Sequence, residues 1–277
     1  MTARSTRPAG PVSRVPLSQL AIRAPRLDHF EDPAAVISER RIRRHGDGIE
    51  LDEDRLAMCT IVRSDAGGPL RAFNGGRAHE NGWHSSWKAQ RLLHWQGETA
   101  LMHLLKADTD HDVVRINAES VEFEMPALGP RVSYRADAEL TDATGRTIIV
   151  EVKRTERDLD DPKYRLKLAY VREVCRRCDM GFRIVFQEDL FESIVHRRNV
   201  SLFASRGFVR IEHHHRRILG DRRRSSGLQT TYGVLAEALE PGHPAAGRAV
   251  VQGMLVRRLV KMDLTSHLDD ASTVTIV

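Results

Sequence analysis

Residues 132–153 constrain this chain more than any other stretch. Val132, Tyr134, Ala136, Ala138 and Leu140 alternate with Arg135, Asp137 and Glu139. That is the period of a strand, whose side chains point to opposite faces in turn. Asp142-Ala143-Thr144-Gly145 supplies a turn. The next run, Arg146 to Lys153, puts Ile148, Val150 and Val152 on one face and Ile149, Glu151 and Lys153 on the other. If the two strands pair as a hairpin, Asp137 reaches the edge that carries Glu151 and Lys153.

Two carboxylates at one edge can hold Mg²⁺, with Mn²⁺ as a substitute, because a hard cation takes oxygen ligands and keeps several waters for a phosphate. The ion would lower the pKa of a bound water and neutralise charge on a phosphodiester. A neighbouring ammonium would orient the attacking water and stabilise the transition state. Polar residues on an exposed strand face are common, and Glu-x-Lys arises often by chance. The context sets this instance apart: an Asp precedes it across a tight turn, a strongly apolar strand ends in it, and a basic helix follows. The expected chemistry is metal-dependent cleavage of a nucleic-acid backbone.

A helix read in the second half of Ser85–Lys106 presents Leu101, Leu104 and Leu105 as its apolar face. Glu98 opens it. On spacing alone Glu98 is a solvated first-turn carboxylate that complements the helix dipole.

The net charge of +5 suits an anionic partner but does not choose between nucleic acid and a membrane surface. Arginines cluster at 40–44, 216–217 and 222–224. The adjacent His213, His214 and His215 point different ways, so a solvated or phosphate-facing run is expected there rather than a metal site. Three scattered cysteines make no disulfide framework and suit a reducing cytoplasm. Cys175-x-x-Cys178 lacks a second pair at zinc spacing and falls late in a helical run, so a structural role is expected. No apolar run is long enough to cross a membrane, and no signal-peptide core opens the chain.

Residues 1–50 are rich in Pro, Ser, Arg and Ala and read as a flexible or extended arm, with a short helix begun by Asp32-Pro33. Leu56–Val62 reads as a strand, followed by a Gly/Asn-rich loop at Phe73–Arg77. Trp83 and Trp87 sit near Lys88 and Arg91, which suits either base stacking or packing of a loop. Val113–Ile116 and Val121–Glu124 read as extended. Pro162 opens a helix over 163–178 with a basic surface, and Phe182–Phe186 is a buried strand. A linker helix at Asn199–Gly207 and a short strand at Phe208–Ile211 follow. Then come helices at Tyr232–Leu239 and Ala245–Lys261 and a terminal strand, Ser272–Val277. The alternation of strands and helices predicts an α/β fold with a mixed sheet.

Tyr134-Arg135-Ala136-Asp137 and Ile149-Val150-Glu151-Val152-Lys153, with Glu98 upstream on a helix, resemble the PD-(D/E)xK nuclease superfamily. The helix from Glu98, followed by Asp110-His111-Asp112-Val113-Val114, looks closer to one branch, the TnsA-type endonuclease subunit of heteromeric transposases. The resemblance covers roughly residues 85–200. It implies a restriction-endonuclease-like mixed sheet flanked by helices. It makes Glu98, Asp137 and Glu151 metal ligands, adds the Val152 carbonyl, and makes Lys153 the catalytic lysine. Ala136 departs from the pattern, since proline is usual there; it carries no reactive group. The last stretch resembles a small winged-helix domain. The implied partners are double-stranded DNA, an integrase-type transposase that makes the other cut, and an ATPase regulator.

The expected organisation is an arm at 1–50, a nuclease domain at 51–205 and a winged-helix-like domain at 206–277. The expected location is the bacterial cytoplasm, on DNA. Two rivals stand beside the transposon end-cutter. One is a stand-alone restriction or repair nuclease of the same fold. The other is a DNA-binding regulator with an idle central domain.

Overall fold

The computed structural model describes residues 12–16, 51, 53–64, 66–70, 80–129, 132–225 and 227–277. The fold is mixed α/β. It begins with β1 (Val12–Pro16), α1 (Glu53–Ala57), β2 (Thr60–Ser64), β3 (Asn81–Ser86), β4 (Arg91–Gln96) and α2 (Glu98–Thr109). Next come β5 (Val113–Ala118), β6 (Val121–Glu124), β7 (Ser133–Arg135), β8 (Ala138–Asp142), β9 (Thr147–Lys153), α3 (Pro162–Arg177) and β10 (Gly181–Phe186). The remainder is α4 (Ile194–Ala204), α5 (His213–Ser225), β11 (Gln229–Thr231), α6 (Tyr232–Leu239), α7 (Pro244–Val256), β12 (Val260–Lys261) and β13 (Thr273–Ile276). The helix expected at Asp32–Ser38 and the loop at Phe73–Arg77 lie outside the described residues. No helix among the described residues is long and apolar enough to cross a membrane.

The chain divides into two units. The first comprises residues 1–84, 93–101 and 115–188; the second comprises 85–92, 102–114 and 189–277. The divisions expected at residues 50 and 205 followed the order of the chain. The units instead alternate along the chain, with crossings inside the β3–β4 hairpin, α2 and β5 and a last one between residues 188 and 189. Periodicity runs straight through a continuous helix or strand, so the sequence carries no mark of such a crossing.

The first unit contains a sheet in the order β1-β2-β6-β7 and a second in the order β10-β9-β8-β5. The first sheet is antiparallel throughout. Its edge strand, Val12–Pro16, belongs to the stretch expected to be a flexible or extended arm, and it pairs with β2 over its whole length. Proline at the end of an edge strand leaves the ladder intact. In the second sheet β8 and β9 are antiparallel, and β9 and β10 are parallel. A parallel pair needs a crossover, and α3 supplies it.

α3 starts where Asp161 Oδ1 accepts the Lys163 N–H at 3.0 Å and Pro162 occupies the first turn. Its Leu168, Val171, Val174 and Cys175 pack with Phe123, Tyr134, Ile149, Phe182 and Phe186 in one core. Each fully buried aliphatic side chain there contributes roughly 1.5–3 kcal/mol. Cys175 is buried in that core, and burial raises the thiols of both Cys175 and Cys178. That suppresses the thiolate a metal would need. The structural role expected of this pair therefore fits its surroundings.

The second unit packs α4, α6 and α7 with a small antiparallel sheet ordered β11-β13-β12. Leu235, Leu239, Val251, Met254 and Val274 form the centre of its core. α6 and α7 meet at Gly247, where a methyl group would overlap the Ala236 carbonyl. The expected helix over Ala245–Lys261 stops at Val256. Arg258 takes a left-handed φ of 61°, and the chain turns into β12. Leu259 and Val260 continue the apolar pattern, so only pairing with β13 reveals the break. Phe208–Ile211, expected as a strand, is assigned to none, and Val209 and Ile211 pack against the core. The run Leu56–Val62 splits between the end of α1 and β2. The β3–β4 hairpin turns at Gln90 with φ 54°, a left-handed position without the glycine that would have signalled it.

Candidate metal centre

The centre is built where the chain leaves one sheet for the other. β7 belongs to the first sheet and β8 to the second, and Ala136 and Asp137 join them. The Ala136 N–H donates to Val121 O at 3.0 Å, while the Asp137 carbonyl accepts the Glu119 N–H at 3.2 Å. Ala136 is fully in the core.

β8 and β9 pair with Ala138 opposite Val150 and Leu140 opposite Ile148. The next position beyond the ladder sets Asp137 opposite Glu151. The Asp137 carboxylate takes the place of the missing strand partner: its Oδ2 accepts the Val152 N–H at 2.7 Å. An extended residue sends its N–H and C=O to the same side of the strand. The Val152 carbonyl therefore points toward the edge that Asp137 occupies.

Glu151 is only 3% exposed, an expensive place for a carboxylate without partners. It has three. The Tyr134 hydroxyl donates to Oε2 at 2.5 Å, the Tyr164 hydroxyl donates to Oε1, and the Lys153 ammonium pairs with Oε1. The alternation expected for Glu151 and Lys153 is thus observed as a direct ion pair. Lys153 Nζ also lies 4.7 Å from the centre of the Tyr164 ring.

These neighbours shift the groups' proton affinities. Burial, and next the Glu151 carboxylate, push the Asp137 carboxyl well above the usual carboxylate range; the Val152 N–H and Lys153 offset this only in part. Burial works to lower the Lys153 ammonium, but Glu151, then Asp137 and Asp158, outweigh it and hold it above its ordinary value. Burial and then Glu151 raise both tyrosines, so each hydroxyl stays protonated as a donor. Two facing carboxylates, one of them short of compensation, are an electrostatic arrangement that a divalent cation would relieve. The donor set of two carboxylates and a carbonyl fits a hard ion such as Mg²⁺ or Mn²⁺.

Asp137, Glu151, Val152 and Lys153 come together; Glu98 does not join them as a ligand group. It is exposed in the first turn of α2, where its charge faces the positive end of the helix dipole. Among the described residues, the group of three His, Cys, Asp or Glu side chains whose ligand atoms all lie within 4.8 Å is His214, His215 and Glu240. That trio is engaged otherwise. His215 Nδ1 accepts the Glu212 N–H at 3.1 Å, so the ring proton sits on Nε2, 2.9 Å from Glu240 Oε1. A ring held in that tautomer caps α5 and has no Nε2 lone pair to offer a metal. His213 and His214 are exposed, as expected of a solvated run, whereas His215, expected to belong to the same run, is buried.

Sequence reasoning passed over both tyrosines. Tyr134 lay inside the motif but read as an apolar-face residue. Tyr164 stands in the first turn of a helix whose surface read as basic, with no pattern tying it to Glu151. No protein-family model matches the chain, and none of the curated proteins matches it.

Proposed function

We propose that this chain is a Mg²⁺-dependent endodeoxyribonuclease. In this reading it nicks DNA at transposon ends as a TnsA-like subunit, beside an integrase-type transposase. The observation that carries the reading is the facing pair Asp137 and Glu151 with Lys153 on the Glu151 side. The mixed sheet with α3 crossing between its parallel strands supports a restriction-endonuclease-like core. The order α5, β11, α6, α7, β12, β13, with β13 central in its sheet, supports a winged-helix-like end.

Asp137, Glu151 and the Val152 carbonyl would hold the ion. When bound, Mg²⁺ activates a water and offsets charge on the phosphate. The carboxylate form of Asp137, whose carboxyl is pushed above the usual carboxylate range by burial and Glu151, would be favoured by bound metal. Lys153 stays protonated and donates toward the attacking water or a phosphate oxygen. Glu98 enters only through the order of motifs in the resemblance, and it is tested separately from the pair.

A regulator that reads DNA through its C-terminal unit is the less favoured rival. In α7, Val250 to Val256 are all buried, and the exposed Arg248 is held by Asp270 at 2.6 Å. Little of that helix is left to enter a groove. The test is nicking of supercoiled plasmid with Mg²⁺ or Mn²⁺, with and without a candidate transposase, for wild type, Asp137→Ala and Lys153→Ala. Cutting that needs the partner supports the transposon subunit, and cutting alone supports a stand-alone nuclease. Undiminished nicking by both variants would end the proposed site.

A further inference from the structure

The side chain that joins the two charged residues of β9 is Tyr164, in the first turn of α3. Its hydroxyl donates to Glu151 Oε1. Its ring lies 4.7 Å from Lys153 Nζ and 5.7 Å from Lys167 Nζ, so two cations flank one aromatic face system. Lys167 in turn donates to the Ser133 carbonyl at 3.2 Å, which ties α3 to the strand that leads into Asp137. The Asp161 cap and Pro162 fix where this first turn begins.

The two tyrosines on Glu151 are not equivalent. Tyr134 rises from the core, 4% exposed, with its ring centre 5.9 Å from Phe123 and 6.4 Å from Phe182. It holds Oε2 as part of the packing. Tyr164 is half-buried at the rim and touches both groups the chemistry needs. A lysine stem has many rotamers, and an ammonium beside two carboxylates has several places to go. A ring face attracts the ammonium from one defined direction. A hydroxyl on a ligand carboxylate orients it as an outer-shell partner does.

We propose that Tyr164 is a positioning residue of this centre. Its hydroxyl sets the Glu151 carboxylate for a divalent cation, and its ring sets the Lys153 ammonium beside it. The inference rests on the metal-nuclease reading and adds a residue that reading does not require. The two roles separate by substitution. Tyr164→Phe keeps the ring and loses the donor; Tyr164→Leu loses both.

The experiment uses the full chain and Mn²⁺ alone as the probe, with free Mn²⁺ counted by electron paramagnetic resonance and plasmid nicking measured in parallel. Tyr164→Phe should weaken Mn²⁺ binding about 10-fold, the lower end of the 10–100-fold typical of an outer-shell loss. Its nicking rate at saturating metal should fall by about 3–10-fold, far less than on loss of the ring, since Lys153 keeps its support. Tyr164→Leu should weaken Mn²⁺ similarly and also lose roughly 100-fold in the saturated rate, the scale of a misplaced catalytic group. Unchanged or tighter Mn²⁺ binding by Tyr164→Phe overturns the proposal. So does an equal loss of saturated rate in the two variants. If Asp137→Ala still abolishes Mn²⁺ binding, only the role of Tyr164 has failed. If wild type and Asp137→Ala bind Mn²⁺ equally, the metal-centre reading fails and this inference with it. Thermal melts of each variant exclude misfolding as the cause.

Discussion

His103 offers a direct test of the packing in the second unit. It lies on α2, is 7% exposed, and its Nε2 has no hydrogen-bond partner among the described residues. Burial, assisted by the charge of Lys106, lowers its pKa from 6.5 to about 4. The folded state therefore binds fewer protons than the unfolded state between pH 4 and 6.5, and stability rises with pH across that window. The stabilisation is complete above about pH 6.5 and is lost as pH falls toward 4. That displacement corresponds to about 3 kcal/mol, a large share of the 5–15 kcal/mol that holds a domain together. The perturbation is His103→Leu, similar in volume and without a proton to bind. Urea unfolding of both proteins at pH 7.5 and 4.5, followed by circular dichroism, isolates the effect as a difference of differences. Wild type should lose about 2–3 kcal/mol more than the variant on acidification, since most of the shift is already titrated at pH 4.5. Equal losses in the two proteins would refute the argument, because the remaining histidines are common to both.

Further perturbations address the site and its partners. Asp137→Ala should lower plasmid nicking by at least about 1,000-fold, whereas Glu98→Ala, outside the ligand group, should stay within about 3-fold of wild type. Equal losses would return Glu98 to the centre. Arg216→Glu with Arg217→Glu, on the exposed face of α5, should weaken duplex binding and reduce the salt slope by about 2, read by fluorescence anisotropy across NaCl concentrations in Ca²⁺. An unchanged slope would mean that this face meets no phosphate. Gly247→Ala should destabilise the second unit by at least about 1–3 kcal/mol, since the added methyl meets the backbone of α6; a melting temperature equal to wild type would contradict the close approach.

The hairpin that carries the candidate centre was legible because each part of it is local. Side chains alternate along a strand whatever surrounds them, and the turn is fixed by its own residues. Asp142 Oδ1 accepts the Thr144 N–H and the Arg146 N–H, both at 2.9 Å, and Gly145 takes the left-handed φ of 85°. The start of α3 was legible for the same reason, through Asp161 and Pro162. The β3–β4 hairpin was not, because Gln90 gives no turn signal. The end of α7 was not, because Leu259 and Val260 look the same in a helix as in a strand.

The sequence by itself determined that Glu151 and Lys153 share a face and that Asp137 lies within reach of it, since period-two geometry and a short turn need no distant partner. Tertiary structure alone decided the rest. It moved the strand from one sheet to the other at Ala136 and Asp137, so that a carboxylate rather than a backbone carbonyl meets the Val152 N–H. It brought Tyr164 from a helix and Tyr134 from the core onto one buried carboxylate, and it left Glu98 exposed at the start of α2. Those outcomes depend on contacts between residues distant in the chain, and no pattern confined to neighbours encodes them.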